Sequence, residues 1–398
     1  MWQWDLFTAT YLNGDDPQVH RHSRMFSSTK AVSLLLLWAA SVCALITVPP
    51  YTGRTIFSPP SNYIVPRTLY ARTLLIPQDG VDQNVLLATW ENYSPEPPHV
   101  WFPIFRSLDL GQTWSPFSNV TDTQNGWGLR YQPFLYELTE TIGTFPAGTV
   151  LCAGNSIPTN LSNTQIDVYV SLDKGRTWKF VSHVAAGGEA VPDNGLTPVW
   201  EPFIMTYNHQ IVLYYSDQRD PAHGQKLAHQ VTSNLLTWGP IVNDVALPTF
   251  SDRPGMTTIA LLPNGKYIMT YEYGGAPEGD FAVYFRVSSS PLTFNSAMGT
   301  VIRAVTGELP TSSPNVAWTA HGGANGTIIV SANSHTGVFV NTQLAAPGSL
   351  WTYVQTNATR SYTREVRVLP SNNQIMLTGG GTLGGTTNSV TGTILQLS

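Results

Sequence analysis

Four glutamates each stand directly after an aromatic residue, in Trp90-Glu91-Asn92, Tyr136-Glu137-Leu138, Trp200-Glu201-Pro202 and Tyr271-Glu272-Tyr273. Such company suits carboxyl groups set in half-buried strands, where burial can drive two acids apart so that one stays ionised and the other protonated. A pair of this kind can cleave an acetal. At a separation of about 5 to 5.5 Å one carboxylate attacks as nucleophile while its partner serves as acid and then base, whereas about 6.5 to 9.5 Å leaves room for direct attack by water. Glu201 and Glu272, 71 residues apart, form the strongest candidate pair. The member that acts as nucleophile would have to stay charged through hydrogen-bond donors or an arginine, and Glu272, between Tyr271 and Tyr273, would be pushed towards its neutral form. The competing reading is a strand glutamate satisfied by a backbone amide or an arginine, and it suits Glu137 better than the other two.

Several neighbours are candidate substrate contacts. Trp90 could stack on a sugar face beside Glu91, and Tyr273 adjoins Glu272. The segments Ser216-Asp217-Gln218-Arg219 and Ser251-Asp252-Arg253-Pro254 set opposite charges next to strands, so Asp217, Arg219 and Arg253 either fix loop shape or hold a substrate. Other chemistries find little support. The nearest histidine pair after residue 44, His223 and His229, lacks the spacing and the glutamate of a zinc helix, and no cysteine cluster exists, so no metal site or cofactor is expected. Gly379-Gly380-Gly381 has no following Lys-Ser/Thr, and Gly154-Asn155-Ser156-Ile157 lacks the second glycine of a nucleophile elbow.

The elements that must position these groups are strands. Of 398 residues only 11% are charged, the net charge is -5, and 33 Gly and 29 Pro are scattered throughout, which excludes disorder, long helical bundles and a polyanion-binding face. With 12 Trp, 17 Tyr and 15 Phe among many Thr, Val and Ser, the composition is that of short strands joined by tight turns. The octapeptides Ser107 to Trp114 (SLDLGQTW) and Ser171 to Trp178 (SLDKGRTW) agree at six of eight positions and read as hairpin turns. Echoes end at Trp238, Phe294 and Trp351, spacing the aromatics by 64, 60, 56 and 57 residues. A mean near 59 divides residues 45–398 into six units, each sufficient for four short strands. The fold expected is all-β, a six-bladed β-propeller. The first blade is expected to lack a recognisable octapeptide, and a strand around Tyr63 to Thr73 is expected to close the ring.

Residues 1–44 read as an N-terminal extension and secretory signal peptide: Ala31 to Val48 is an uncharged apolar run after Arg21, Arg24 and Lys30, with small residues at Val42-Cys43-Ala44 for cleavage. The same 18-residue run would also be long enough to anchor in a bilayer. Cleavage would leave Cys152 as the only thiol, no membrane attachment, and five Asn-x-Ser/Thr sequons at Asn92, Asn119, Asn160, Asn325 and Asn357, consistent with a secreted protein.

The octapeptides resemble the Asp boxes of sialidase-like propellers. More narrowly, TPVWEPF (197–203), YYSDQRDP (214–221), SDRPGMT (251–257) and TYEYGG (270–275) resemble the fungal exo-arabinanases of glycoside hydrolase family 93, over most of residues 50–398. The resemblance implies a secreted enzyme that releases arabinobiose from the non-reducing end of linear α-1,5-L-arabinan with retention of configuration; a monomer is expected. It assigns Glu201 as nucleophile and Glu272 as acid/base, and places Tyr362, in SYTREVR, where sialidase-like propellers carry a functional tyrosine. Two other functions stay open. A sialidase would need three convergent arginines, for which Arg72, Arg253 and Arg364 are available. A non-catalytic propeller would hold a glycan on its aromatics and use the carboxylates only as acceptors.

Overall fold

Aromatic and β-branched residues alternating with turn-formers produce six antiparallel sheets of four strands each, in a computed structural model that describes residues 46–76 and 85–398. The signal segment expected over residues 1–44 lies outside the described residues. Blade 1 comprises β2 (Thr68–Ile76), β3 (Val85–Asn92), β4 (Phe102–Ser107) and β5 (Ser115–Val120), and blade 2 comprises β6 (Leu129–Glu137), β7 (Val150–Ser156), β8 (Thr164–Ser171) and β9 (Lys179–Gly187). Blade 3 is built from β10 (Val199–Tyr207), β11 (Gln210–Asp217), β12 (Lys226–Thr232) and β13 (Val242–Val245). Blade 4 is built from β14 (Arg253–Leu261), β15 (Tyr267–Gly274), β16 (Ala282–Ser288) and β17 (Thr300–Val301). Blade 5 runs through β18 (Asn315–Thr319), β19 (Thr327–Ser331), β20 (Val338–Asn341) and β21 (Thr352–Val354). The sixth blade holds β22 (Glu365–Val368), β23 (Gln374–Gly379) and β24 (Val390–Gln396), and its outer strand is β1 (Tyr51–Phe57). The protein is a six-bladed β-propeller.

Two expectations about the ring are corrected. The closing strand is β1, paired with β24 from Tyr51↔Ile394 to Phe57↔Val390, while the stretch expected to close the ring supplies β2, the inner strand of blade 1. The blade without an octapeptide is the sixth, not the first. Each octapeptide or echo joins the third and fourth strands of its blade, so Ser107 to Trp114 already belongs to blade 1.

In both octapeptides the Ser hydroxyl accepts the Gly N–H and donates to the Asp carboxylate, which takes the Thr amide and hydroxyl. The glycines sit at φ +87° and +91°, a region that costs a side-chain-bearing residue free energy. The turns also bond blade to blade: Trp178 donates its indole N–H to Ser118 in blade 1, and Trp238 donates to Ser182 in blade 2.

Six buried apolar clusters occupy the six junctions between neighbouring blades, for example Leu151, Val168 and Ile204 between blades 2 and 3, and Ile268, Phe285 and Ile328 between blades 4 and 5. Each fully buried aliphatic or aromatic side chain there is worth about 1.5–3 kcal/mol of transfer free energy. Together they hold the inner strands at fixed separations around the axis.

Candidate active site

The inner strands share a local irregularity. Opposite single residues of their partners, Tyr70-Ala71, Gln132-Pro133, Glu201-Pro202 and Met256-Thr257 form bulges in β2, β6, β10 and β14. Tyr70, Gln132, Glu201 and Met256 have φ of +49°, +61°, +63° and +57°, and Ser313 and Thr363, just before β18 and β22, have +46° and +56°. A bulge turns a side chain out of the pleat. A left-handed residue thus recurs at the inner strand of each of the six blades, within a bulge in four of them. In blades 2 and 3 the bulge ends on a proline, which has no N–H for the ladder to lose.

Of these residues Gln132 and Glu201 line a pocket of about 570 Å³, together with Glu91, Arg253, Glu272 and Tyr362 among others, and with Tyr93, Tyr131, Trp200 and Phe281 as aromatic walls. Such a size suits a small glycan. Leu69, Tyr70 and Met256 form an apolar cluster at the axis, against which Tyr93 and Tyr362 pack.

Glu201 and Glu272 reach this pocket by different routes. Glu201 lies on the inner strand and is turned inward by its bulge. Glu272 lies on the second strand of blade 4, and its pairing partner on the inner strand is Gly255, which has no side chain to stand in the way. A Cβ at Gly255 would lie 3.4 Å from Glu272 Oε1, 3.7 Å from Glu201 Oε2 and 2.7 Å from Gln225 Nε2. Those two carboxyl oxygens are therefore no more than about 7 Å apart, close enough for both groups to act on one bond.

Each carboxyl is anchored through one oxygen. Glu201 Oε2 accepts the Ser216 hydroxyl at 2.5 Å and the Met256 N–H at 2.7 Å, and Glu272 Oε2 accepts the Ser313 N–H at 2.6 Å. The Ser312 side chain also bonds to the Glu272 carboxyl, and Glu201 Oε1 remains for a substrate. Burial raises both pKa values, but unequally. For Glu201 the Ser216 and Met256 bonds and the charges of Arg253 and Arg72 oppose the rise, whereas Glu272 is driven by burial and then by the Glu201 charge to about 8. Glu201 is thus the acid more readily ionised, and Glu272 holds its proton through neutrality.

The remaining expectations divide. Glu91 lines the pocket, with Oε1 accepting the Gln132 N–H at 3.0 Å and Oε2 the Tyr93 hydroxyl at 2.8 Å, and burial lifts its pKa to about 7. Arg253 lines it too, donating to the neutral oxygens of Asn194, Gln218 and Gln225. Tyr362 stands against Tyr70 with ring centroids 6.5 Å apart, and burial followed by the nearby Glu272 and Glu201 charges holds its phenol well above the usual value. It can donate a hydrogen bond but is not poised to ionise.

Trp90, Asp217, Arg219 and Tyr273 do not line the pocket. Trp90 is fully buried between Phe57 and Phe105 at the junction of blades 6 and 1, because side chains alternate along a strand and Glu91 takes the pocket side. By the same alternation Tyr273 turns away from Glu272 and donates its hydroxyl to Asp252. Asp217 and Arg219 form a bidentate ion pair that also engages Tyr215, so they shape the loop after β11. Glu137 pairs with Lys174 at 2.6 Å.

Gln132 and Trp200 are pocket residues not anticipated from the sequence. The signal for Gln132 was present: Tyr131-Gln-Pro-Phe134 repeats Trp200-Glu-Pro-Phe203 at a distance of 69 residues.

A scan against protein-family models and a search of curated proteins returned no match. Among solved structures, an α-L-arabinofuranosidase from Fusarium graminearum in complex with an iminosugar inhibitor is 48% identical with a TM-score of 0.85, over 87% of this chain and 98% of that one. An α-L-arabinanase from Penicillium chrysogenum complexed with arabinobiose is 50% identical with a TM-score of 0.84, over 88% and 99%. A microbial sialidase at 11% identity and a TM-score of 0.57, over 87% of this chain and 68% of that one, shares the fold alone. With a propeller whose carboxyl pair faces one glycan-sized pocket, and with about half of the aligned residues identical to an α-L-arabinofuranosidase and an α-L-arabinanase over nearly its whole described length, this chain belongs to glycoside hydrolase family 93 and is a glycosidase.

Proposed function

We propose that the protein is a secreted, monomeric exo-acting arabinanase that removes arabinobiose from the non-reducing end of linear α-1,5-L-arabinan with retention of configuration. The observation that carries the reading is the unequal carboxyl pair, Glu201 and Glu272, facing one pocket within about 7 Å. In the first step Glu201 Oε1 attacks the anomeric carbon while Glu272 gives its proton to the departing glycosidic oxygen, leaving a glycosyl ester on Glu201. In the second, Glu272, now ionised, takes a proton from water as that water displaces the ester, which restores both groups. As the ester forms, Glu201 loses its charge, and Glu272 can then hold a negative one more easily.

Arg253 lends Glu201 a positive field without neutralising it in an ion pair, since its partners are amide oxygens. Tyr362, a neutral phenol beside the pair, serves as a hydrogen-bond donor to Glu201 or to the sugar. Arabinobiose bound to the Penicillium and Fusarium enzymes supports a disaccharide product. A sialidase reading is disfavoured, because Arg364 is spent on the carbonyls of Thr336, Thr359 and Gly337 and Arg72 on those of Ala71 and Thr363, leaving Arg253 as the one arginine that lines the pocket among the described residues. Incubation with debranched arabinan tests the reading. Arabinobiose as the product supports it, arabinose alone or random fragments refute the exo-disaccharide mode, and absence of products refutes the activity. Glu201→Ala and Glu272→Ala should each lose most turnover, and azide should restore rate to Glu201→Ala with a glycosyl azide of inverted anomer.

A further inference from the structure

The bulge amides around the axis are linked in series. Gln132 N–H is donated to Glu91 Oε1 at 3.0 Å, Glu201 N–H to Gln132 Oε1 at 3.1 Å, and Met256 N–H to Glu201 Oε2 at 2.7 Å. These contacts join blade 1 to blade 2, blade 2 to blade 3, and blade 3 to blade 4. Glu201 is therefore held at both ends: its carboxylate caps the next bulge, and its own amide is capped by the previous one. A backbone N–H can only donate, so the carbonyl oxygen of the Gln132 amide must face Glu201, and Asn155 Nδ2 fixes that oxygen further with a bond of 2.7 Å.

A non-glycine residue at φ +63° holds that conformation only where its surroundings determine it. The bond from Glu201 N–H to Gln132 is the side-chain contact that does so on the N-terminal side of the bulge. We propose that Gln132 is a positioning residue for the reaction: its side-chain carbonyl locks the Glu201 bulge in the left-handed conformation that presents Glu201 Oε1 to the anomeric carbon, and Glu91 orients Gln132 in turn. The proposal rests on the reading of Glu201 as nucleophile. Gln132 also lines the pocket, so direct contact with the sugar is the competing role, and the two can be told apart.

Gln132→Met keeps the length of the side chain and removes the acceptor. With linear arabino-oligosaccharides its kcat should fall on the order of 10²-fold, the cost of a displaced reacting group, with KM and the melting temperature near those of the unmutated enzyme. Gln132→Glu restores an acceptor and should recover much of kcat. Its extra anion beside Glu201, whose charged neighbours are Arg72, Arg253, Glu91 and Glu272, should shift the acidic limb of the kcat/KM profile upwards. In the Glu201→Ala background, azide-rescued turnover should be indifferent to Gln132→Met, because the contact acts through a carboxylate no longer present.

Three outcomes overturn the proposal: a raised KM with unchanged kcat, which marks a sugar contact; the same fold-loss in the Glu201→Ala background; or equal losses of kcat and melting temperature in Gln132→Met and Gln132→Glu. Failure of the unmutated enzyme to cleave arabinan would instead remove the functional reading. An active enzyme with a fully active Gln132→Met variant removes only this inference.

Discussion

Replacing Glu272 with glutamine should stabilise the protein while disabling it, and the gain should depend on pH. Glu272 is buried, and its pKa is raised from 4.5 to about 8. Below pH 4.5 the carboxyl is protonated in both folded and unfolded chains and contributes no difference. Between 4.5 and about 8 the unfolded chain releases the proton and the folded chain keeps it, so stability falls as pH rises, and above about 8 the loss is complete. At about 1.36 kcal/mol per pH unit this displacement sets a ceiling of about 5 kcal/mol. Glu272 shares the pocket with Glu201, and removing one acid relieves the other, so we expect on the order of 2 kcal/mol at pH 8. Glutamine keeps an oxygen for the Ser313 N–H and cannot ionise. Urea midpoints of the parent and of Glu272→Gln, measured at pH 4, 6 and 8, check this: the difference should widen steadily with pH in favour of the variant. A pH-independent difference, or a variant that loses ground as pH rises, would refute the account of how Glu272 keeps its proton.

The other expectations concern the same architecture. The kcat/KM profile should be bell-shaped, with a basic limb near pH 8 set by Glu272 and an acidic limb above 4.5 set by Glu201, and initial rates from pH 4 to 9 measure both. Gly255→Ala places a methyl group against Gln225 and both carboxyls and should cut kcat on the order of 10²-fold while circular dichroism remains that of the parent. Trp90→Ala should cost about 3–5 kcal/mol in unfolding experiments by emptying the junction of blades 6 and 1, and should leave KM nearly unchanged in the folded fraction, the opposite of what a sugar-stacking residue would show.

The propeller and its carboxyl pair were legible in the sequence because both are written in local terms: an octapeptide turn repeated about every 59 residues, and glutamates set beside aromatics. The phase of the repeat was not, since the turn lies between the third and fourth strands and does not open a blade. Trp90 and Tyr273 were read together with the neighbouring glutamates. Strand alternation sends such neighbours to opposite faces, and Trp200 and Glu201 share the pocket only because a bulge breaks that alternation. Asp217 and Arg219 satisfy each other, a closeness that charge patterning suggested without deciding. The register partner of Glu272 decided its access, and no residue near Glu272 in sequence discloses that Gly255 lies opposite.

Closure of the ring by β1 against β24 ties Tyr51 to Ile394, two positions separated by almost the entire propeller. During synthesis β1, the first of the described strands to leave the ribosome, must wait for its partner until β24 has emerged, so five blades can assemble before the sixth can exist. The finished molecule then joins its oldest and newest described strands within a single blade. A short C-terminal truncation reaching β24 should therefore open the toroid as surely as removing β1.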